Sequence, residues 1–193
     1  MTTLGRLAAV ILSGGGGVRL GGVDKGSIEV HGRTLLEHAL AATAEADEVV
    51  VVGPEVPTTR PVTWTIEEPA GGGPAAGLLA GLDALAVRPD LVCVLAVDMP
   101  RFSAATLDRL VDVLAGDDEA DAVCLVDDEH RKQWLAAVYR YDALVAARPA
   151  RREAEHGLPT GRLMLPLRIL GVPAVDQEAR DLDTWADLRD LRD

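Results

Sequence analysis

The amino-acid sequence predicts an α/β protein with a mostly parallel central sheet and helices on both faces, a three-layer α/β/α arrangement. Three observations carry that reading. RLAAVIL (6–12), EVVVVG (48–53) and LVCVLAV (91–97) are unbroken apolar runs, the pattern of strands covered on both faces. Helical patterns of about 10–15 residues alternate with such runs, as βαβ units require. Glycine-rich or acidic turns follow the runs, where strand-to-helix connections belong.

Taken in order, RLAAVIL is bounded by glycines and reads as a fully buried strand. GSIEV (26–30) is a short strand. TLLEHALAATAEA (34–46) spaces its apolar residues as a helix does, with Thr34 as N-cap and Glu37 three positions on. EVVVVG and VTWTI (62–66) are the next two strands. The turn EEPAGGGPAAG (67–77) opens a helix at 75–86. LVCVLAV is the most apolar run, so it belongs at the sheet centre; it ends in DMP (98–100). A helix capped by Ser103 follows, then strands at DAVCLV (121–126) and WLAAVYR (134–140). DALVAARPA (142–150) is a short helix ended near Pro149. GRLMLPLRIL (161–170) is expected to carry another helix, and TWADLRDLRD (184–193) a closing one.

Parallel sheets of this kind bind ligands beyond the carboxyl ends of their strands. The first glycine stretch, the second glycine turn and Asp98 each follow a predicted strand. Topology therefore gathers all three at one edge.

Composition narrows what that edge can bind. The 193 residues are 48% apolar, which suits one domain with a substantial core. A formal charge of −12 repels nucleic acid and anionic membranes, so any phosphate must be held locally, by backbone amides, a few cations and a metal. No apolar run approaches the roughly 20 residues of a membrane span, and no signal-type segment opens the sequence. A soluble, cytoplasmic protein is the resulting expectation. Cys93 and Cys124 sit in apolar strand-like runs and are expected to be buried free thiols. Among the basic residues only Lys25 and Lys132 are lysines, one closing the glycine stretch and one beside Gln133. A compact ammonium suits places where an arginine fork does not fit.

ILSGGGGVRLGGVDKG (11–26) carries seven glycines. Each ordered glycine loses more chain freedom than any other residue, so such a stretch implies a close approach of backbone to something. Glycines after a strand let several N–H groups face one anion. The spacing departs from GxxxxGK[ST], because Gly26 and Ser27 follow Lys25, and from GxGxxG, because residue 19 is arginine. Taken alone, the stretch is a weak signal, and a turn with no ligand is the alternative reading.

The longer pattern is more specific. LSGGGGVRLGGVDK (12–25) resembles the LAGGxxxRMGGxDK signature of nucleotidyltransferases acting on the molybdenum cofactor, without a gap from Leu12 to Lys25. GPAAGL (73–78) is similar to that family's GPLAG turn and DMP (98–100) to its DxP. KQWLAAVY (132–139) resembles QPLxAxY, with Trp134 in place of proline. DLDTWADL (181–188) resembles NxNTPEDL, with aspartates for both asparagines. The motifs run in order along essentially the whole chain, which is thereby identified as a member of the MobA-like NTP transferase family, the molybdenum cofactor guanylyltransferases.

That resemblance implies a Rossmann-like sheet of the nucleotide-diphospho-sugar transferase type. It also implies GTP and molybdopterin as substrates, with GMP transferred and pyrophosphate released. Leu12, Ser13, Gly14 and Gly15 would meet the nucleotide, with Gly73 and Gly77 of the second turn. Arg19 and Lys25 would stabilise charge developing on the phosphates. Asp98 would bind Mg²⁺, with Asp183 or Asp181 as a second contact; either of these could instead cap the last helix, as Asp98 could cap a turn. Lys132 and Gln133 would face the acceptor. Transient contact with proteins that deliver the cofactor or mature molybdoenzymes is the implied protein partnership.

The match departs from the family at the base. Relatives carry a guanine-reading aspartate a few residues before the GP turn, where this sequence has Ala70 and Gly71. Glu68 or Glu67, or main-chain carbonyls, would have to serve. A cytidylyltransferase acting on the same cofactor is the nearest alternative; a nucleotide-binding protein without catalysis is another, against which Arg19, Lys25 and Asp98 stand.

Overall fold

The computed structural model describes residues 5–14, 25–182 and 187. In chain order, β1 (Leu7–Leu12) is followed by the two-residue strands β2 (Glu29–Val30) and β3 (Arg33–Thr34), then α1 (Leu35–Ala42), β4 (Glu48–Val52) and β5 (Thr63–Thr65). Next come α2 (Pro74–Asp83), β6 (Leu91–Ala96), α3 (Ala104–Ala115), β7 (Ala122–Val126) and β8 (Lys132–Arg140). The chain continues through α4 (Tyr141–Ala146) and α5 (Thr160–Met164) to β9 (Ile169–Pro173).

Seven strands form one sheet in the order β5-β4-β1-β6-β8-β7-β9, with β6 at its centre as its apolar run demands. Within this sheet β8 alone is reversed, antiparallel to both β6 and β7. β2 and β3 form a separate hairpin.

Strand alternation sends side chains to two cores. Ala9 and Ile11 of β1, with Cys93 and Leu95 of β6, pack against α1 and α3. Val10 and Leu12, with Val92 and Val94, pack against α2, α4 and α5 on the other face. The expected three layers follow directly. α2 lies very close to β1, because a Cβ on Gly81 would collide with the Val10 side chain.

The predicted caps form. Thr34 Oγ1 accepts the Glu37 amide at 3.1 Å, and Ser103 and Thr106 make a reciprocal capping box at the start of α3. Other boundaries differ from expectation. α1 stops at Ala42 rather than residue 46, because the Arg60 guanidinium takes the carbonyls of Thr43, Ala44 and Ala46. GSIEV begins as a 3-10 turn, Lys25–Ser27, and becomes extended only at Glu29. The helix expected at 161–170 ends at Met164 ahead of Pro166, and the following apolar run becomes β9 by pairing in parallel with β7. The closing helix expected at 184–193 lies outside the described residues, apart from Asp187. Cys93 and Cys124 are free and buried. Among the described residues no helix is long and apolar enough to cross a membrane.

Candidate active site

Three strand ends and one helix start converge at the carboxyl edge of the sheet. Leu12, Ser13 and Gly14 leave β1, Val52 and Gly53 end β4, and Val97 and Asp98 leave β6. Gly73 and Pro74 open α2 against them. Together with Lys25, Glu67 and Gly77 they line a cleft of about 600 Å³. The start of α2 directs the positive end of the helix dipole at this space.

Lys25 Nζ and Asp98 Oδ2 form an ion pair of 2.9 Å in the cleft, each side chain 20% exposed. Lys25 is held by the 3-10 turn that it opens, where its carbonyl accepts the Ile28 amide. Asp98 is fixed from the C-terminal segment, since the Leu182 amide donates to its carbonyl at 2.9 Å.

The backbone of the first loop is arranged differently from expectation. Ser13 and Gly14 line the cleft, but both amides donate to Val52 O at 2.9 Å. They shape the floor rather than offering donors to an anion. The remaining glycines of the stretch, at 15–17 and 21–22, lie outside the described residues. The close approach requires Gly53, whose φ is +151° and whose missing Cβ would stand 2.9 Å from Gly14 N.

Beyond Asp98 lies a second pocket of about 240 Å³, lined by Met99, Gln133, Trp134, Leu135 and Asp181 among others. Asp98 and Leu135 belong to both spaces. The reversed direction of β8 brings its first residues to this edge. A register break opposite Cys124 and Leu125 shifts the partner from Ala137 to Gln133, so Trp134 and Leu135 leave the β7 ladder. Such irregularities re-aim side chains beside functional sites. The buried Tyr139 hydroxyl donates to the Trp134 carbonyl at 2.7 Å, supporting the displaced stretch. Gln133 Nε2 donates to Asp127 Oδ2 at 2.8 Å. Hydrogen bonds from the Arg131 backbone, and then from its side chain, hold the Asp127 carboxyl below its ordinary range. Lys132 donates to Ile169 O at 2.9 Å and stands 5.6 Å from the Trp134 ring centre.

Of the residues expected at the site, Leu12, Ser13, Gly14, Lys25, Gly73, Gly77 and Asp98 therefore share the cleft, and Gln133 lines the adjoining pocket. Glu68 does not join them: it is exposed and lines a separate space beside Asp83 and Arg152, while Glu67 lines both that space and the cleft. Glu67 Oε1 accepts the Gly71 amide at 3.1 Å. Gly15, Arg19 and Asp183 lie outside the described residues. Tyr139 closes the KQWLAAVY motif, which gave no hint of its bond to the Trp134 carbonyl, and Asp127 belongs to no motif. Among the described residues no group of three metal-ligating side chains forms. Asp98 and Asp181 share the small pocket, a donor set that suits Mg²⁺ when substrate phosphates supply further oxygens.

A cleft of this kind, at the carboxyl edge of a mostly parallel sheet, is where α/β proteins of this class bind their ligands. Residues 9–164 match the MobA-like NTP transferase domain, and the chain belongs to that family of nucleotidyltransferases. A probable molybdenum cofactor guanylyltransferase of Mycobacterium ulcerans is 35% identical over 156 residues, 73% of this chain and 74% of the relative. A molybdenum cofactor guanylyltransferase of Acidiphilium cryptum is 40% identical over 100 residues, which span 49% of this chain and about half, 51%, of that relative. Among solved structures, molybdopterin-guanine dinucleotide biosynthesis protein A of Archaeoglobus fulgidus superposes with a TM-score of 0.73 at 20% identity, covering 96% of each chain. A 2-C-methyl-D-erythritol 4-phosphate cytidylyltransferase of Thermus thermophilus gives 0.72 at 22% identity, covering 95% of this chain and 96% of its own. At such identities these two likenesses establish the fold.

Proposed function

We propose that the protein transfers GMP from GTP to the terminal phosphate of molybdopterin. An acceptor phosphate oxygen bonds to the α-phosphorus, the α–β anhydride bond breaks, and pyrophosphate leaves. The observation that carries this reading is Asp98 standing between two spaces, a nucleotide-sized cleft holding Lys25 and a smaller pocket holding Gln133 and Asp181. Donor and acceptor can then meet in line at one carboxylate, which is most of what phosphoryl-type transfer asks of a protein.

In this reading Lys25 turns from Asp98 to the phosphate oxygens when the nucleotide enters. It neutralises charge that grows on them, with Arg19 in the same role. Asp98 and Asp181, with Asp183 following in sequence, would hold Mg²⁺ against the phosphates. The ion would supply charge neutralisation at the leaving pyrophosphate. Glu67 Oε2, which has no hydrogen-bond partner among the described residues, would provide an acceptor for the N1–H and amino donors of guanine. Trp134 and Leu135 wall the acceptor pocket and limit water.

The test is direct: incubate the protein with molybdopterin, Mg²⁺ and either GTP or CTP, and identify the product by mass. A guanine dinucleotide supports the proposal. A cytosine dinucleotide would establish the cytidylyl alternative.

A further inference from the structure

The segment between β9 and Leu182 carries a buried acid that the reaction above does not use. Glu178 is 6% exposed. Its Oε2 accepts from Thr106 Oγ1 at 2.7 Å, its Oε1 accepts the Val175 amide at 3.2 Å, and Arg109 completes an ion pair on that same oxygen. Thr106 and Arg109 both belong to α3. Glu178 is thus the polar tie between that helix and the C-terminal segment, while Ala179 and Leu182 bury their side chains in the core on the same face.

The segment needs such a tie. Asp176 and Gln177 are successive non-glycine residues at φ 51° and 60°, a conformation that persists only where surrounding structure enforces it. Just beyond them the chain reaches the reaction centre. Asp181 lines the small pocket with Asp98, and the Leu182 amide donates to the Asp98 carbonyl. A buried carboxylate is tolerated when paired and hydrogen-bonded, and Thr106, Arg109 and Val175 all lie on α3 or on the segment itself. Removing it would loosen the segment without taking a group out of the cleft.

We infer that Glu178 is a positioning residue. By tying residues 174–182 to α3 it fixes Asp181, and the Leu182–Asp98 hydrogen bond, at the end of β6. Its effect on catalysis rests on the nucleotidyl-transfer reading; its effect on the segment does not.

The test uses the full chain with Glu178→Ala and Glu178→Gln, and two readouts: hydrogen exchange at the Leu182 amide, and the Mg²⁺ concentration giving half-maximal pyrophosphate release. The Leu182 amide should lose protection while amides of β1 and β6 keep theirs. The Mg²⁺ requirement should rise about tenfold or more, as when an outer partner of an ion's ligands is lost, with KM for GTP near that of the unaltered protein. Glu178→Gln, which can still accept from Thr106, should fall between. Unchanged Leu182 protection in both variants would overturn the inference, as would a lower kcat with an unmoved Mg²⁺ requirement. If Glu178→Ala does not fold, Glu178→Gln decides by the same readouts. If the unaltered protein transfers no nucleotide, the functional reading fails and Leu182 exchange alone decides the role of Glu178.

Discussion

Lys25 and Asp98 meet at 2.9 Å across 73 residues of chain, one from the turn after the glycine-rich stretch and one from the end of β6. Neither side chain belongs to either hydrophobic core. Their pairing is therefore a property of the cleft, and altering it should change chemistry far more than stability.

Lys25→Ala removes a cation from developing phosphate charge. Turnover should fall by about 10²–10³-fold, the usual cost of losing one such group. The thermal midpoint should stay close to that of the unaltered protein. Pyrophosphate release and a melting curve on the same sample check both halves.

Gly53→Ala places a Cβ 2.9 Å from Gly14 N at a φ of +151°. The floor of the cleft must then move, at a cost of about 1–3 kcal/mol in backbone strain. GTP affinity should fall with it. Calorimetric titration beside urea denaturation separates the two losses, and a native affinity would show that the floor does not contact the nucleotide.

Tyr139→Phe deletes the hydroxyl that serves the Trp134 carbonyl. Losing the partner of this half-buried carbonyl costs about 1 kcal/mol. KM for the acceptor should rise more than KM for GTP, because Gln133 and Trp134 of the displaced stretch line the smaller pocket and only Leu135 also lines the cleft.

Burial pushes the Cys93 thiol up to about 12 and the Cys124 thiol up to about 11. In the unfolded chain these thiols ionise near pH 8.5, roughly the ordinary value. Above that pH the unfolded state sheds protons that the folded state keeps. Stability should therefore fall as pH rises from about 8.5 towards 11, and this part of the decline should shrink in Cys93→Ala. Thiol-specific labelling at pH 8 should be negligible in the native protein and complete in denaturant.

The chain order of buried strands, the helix caps and the gathering of Lys25, Asp98 and the second glycine turn were legible in the sequence. All of them depend on short-range pattern plus one topological rule. What was hidden depends on partners distant in the chain. Arg60 ends α1 from another segment, and the apolar run after Pro166 becomes β9 only because β7 is there to pair with it. Apolar periodicity also carries no direction, so it left the reversal of β8, and hence the placement of Gln133 and Trp134, to tertiary structure. Glu67 and Glu68 differ by one position, yet only Glu67 reaches the cleft, a distinction that depends on the turn they enter and not on any local pattern.

The most direct measurement of the central claim is Mg²⁺-dependent transfer from GTP to molybdopterin by Asp98→Asn, with GTP binding followed in parallel. The account predicts that the variant binds GTP and transfers its GMP about a hundredfold more slowly or worse, with the fold intact. Transfer by Asp98→Asn at the unaltered rate would contradict it, because the carboxylate between the two pockets would then take no part in the reaction.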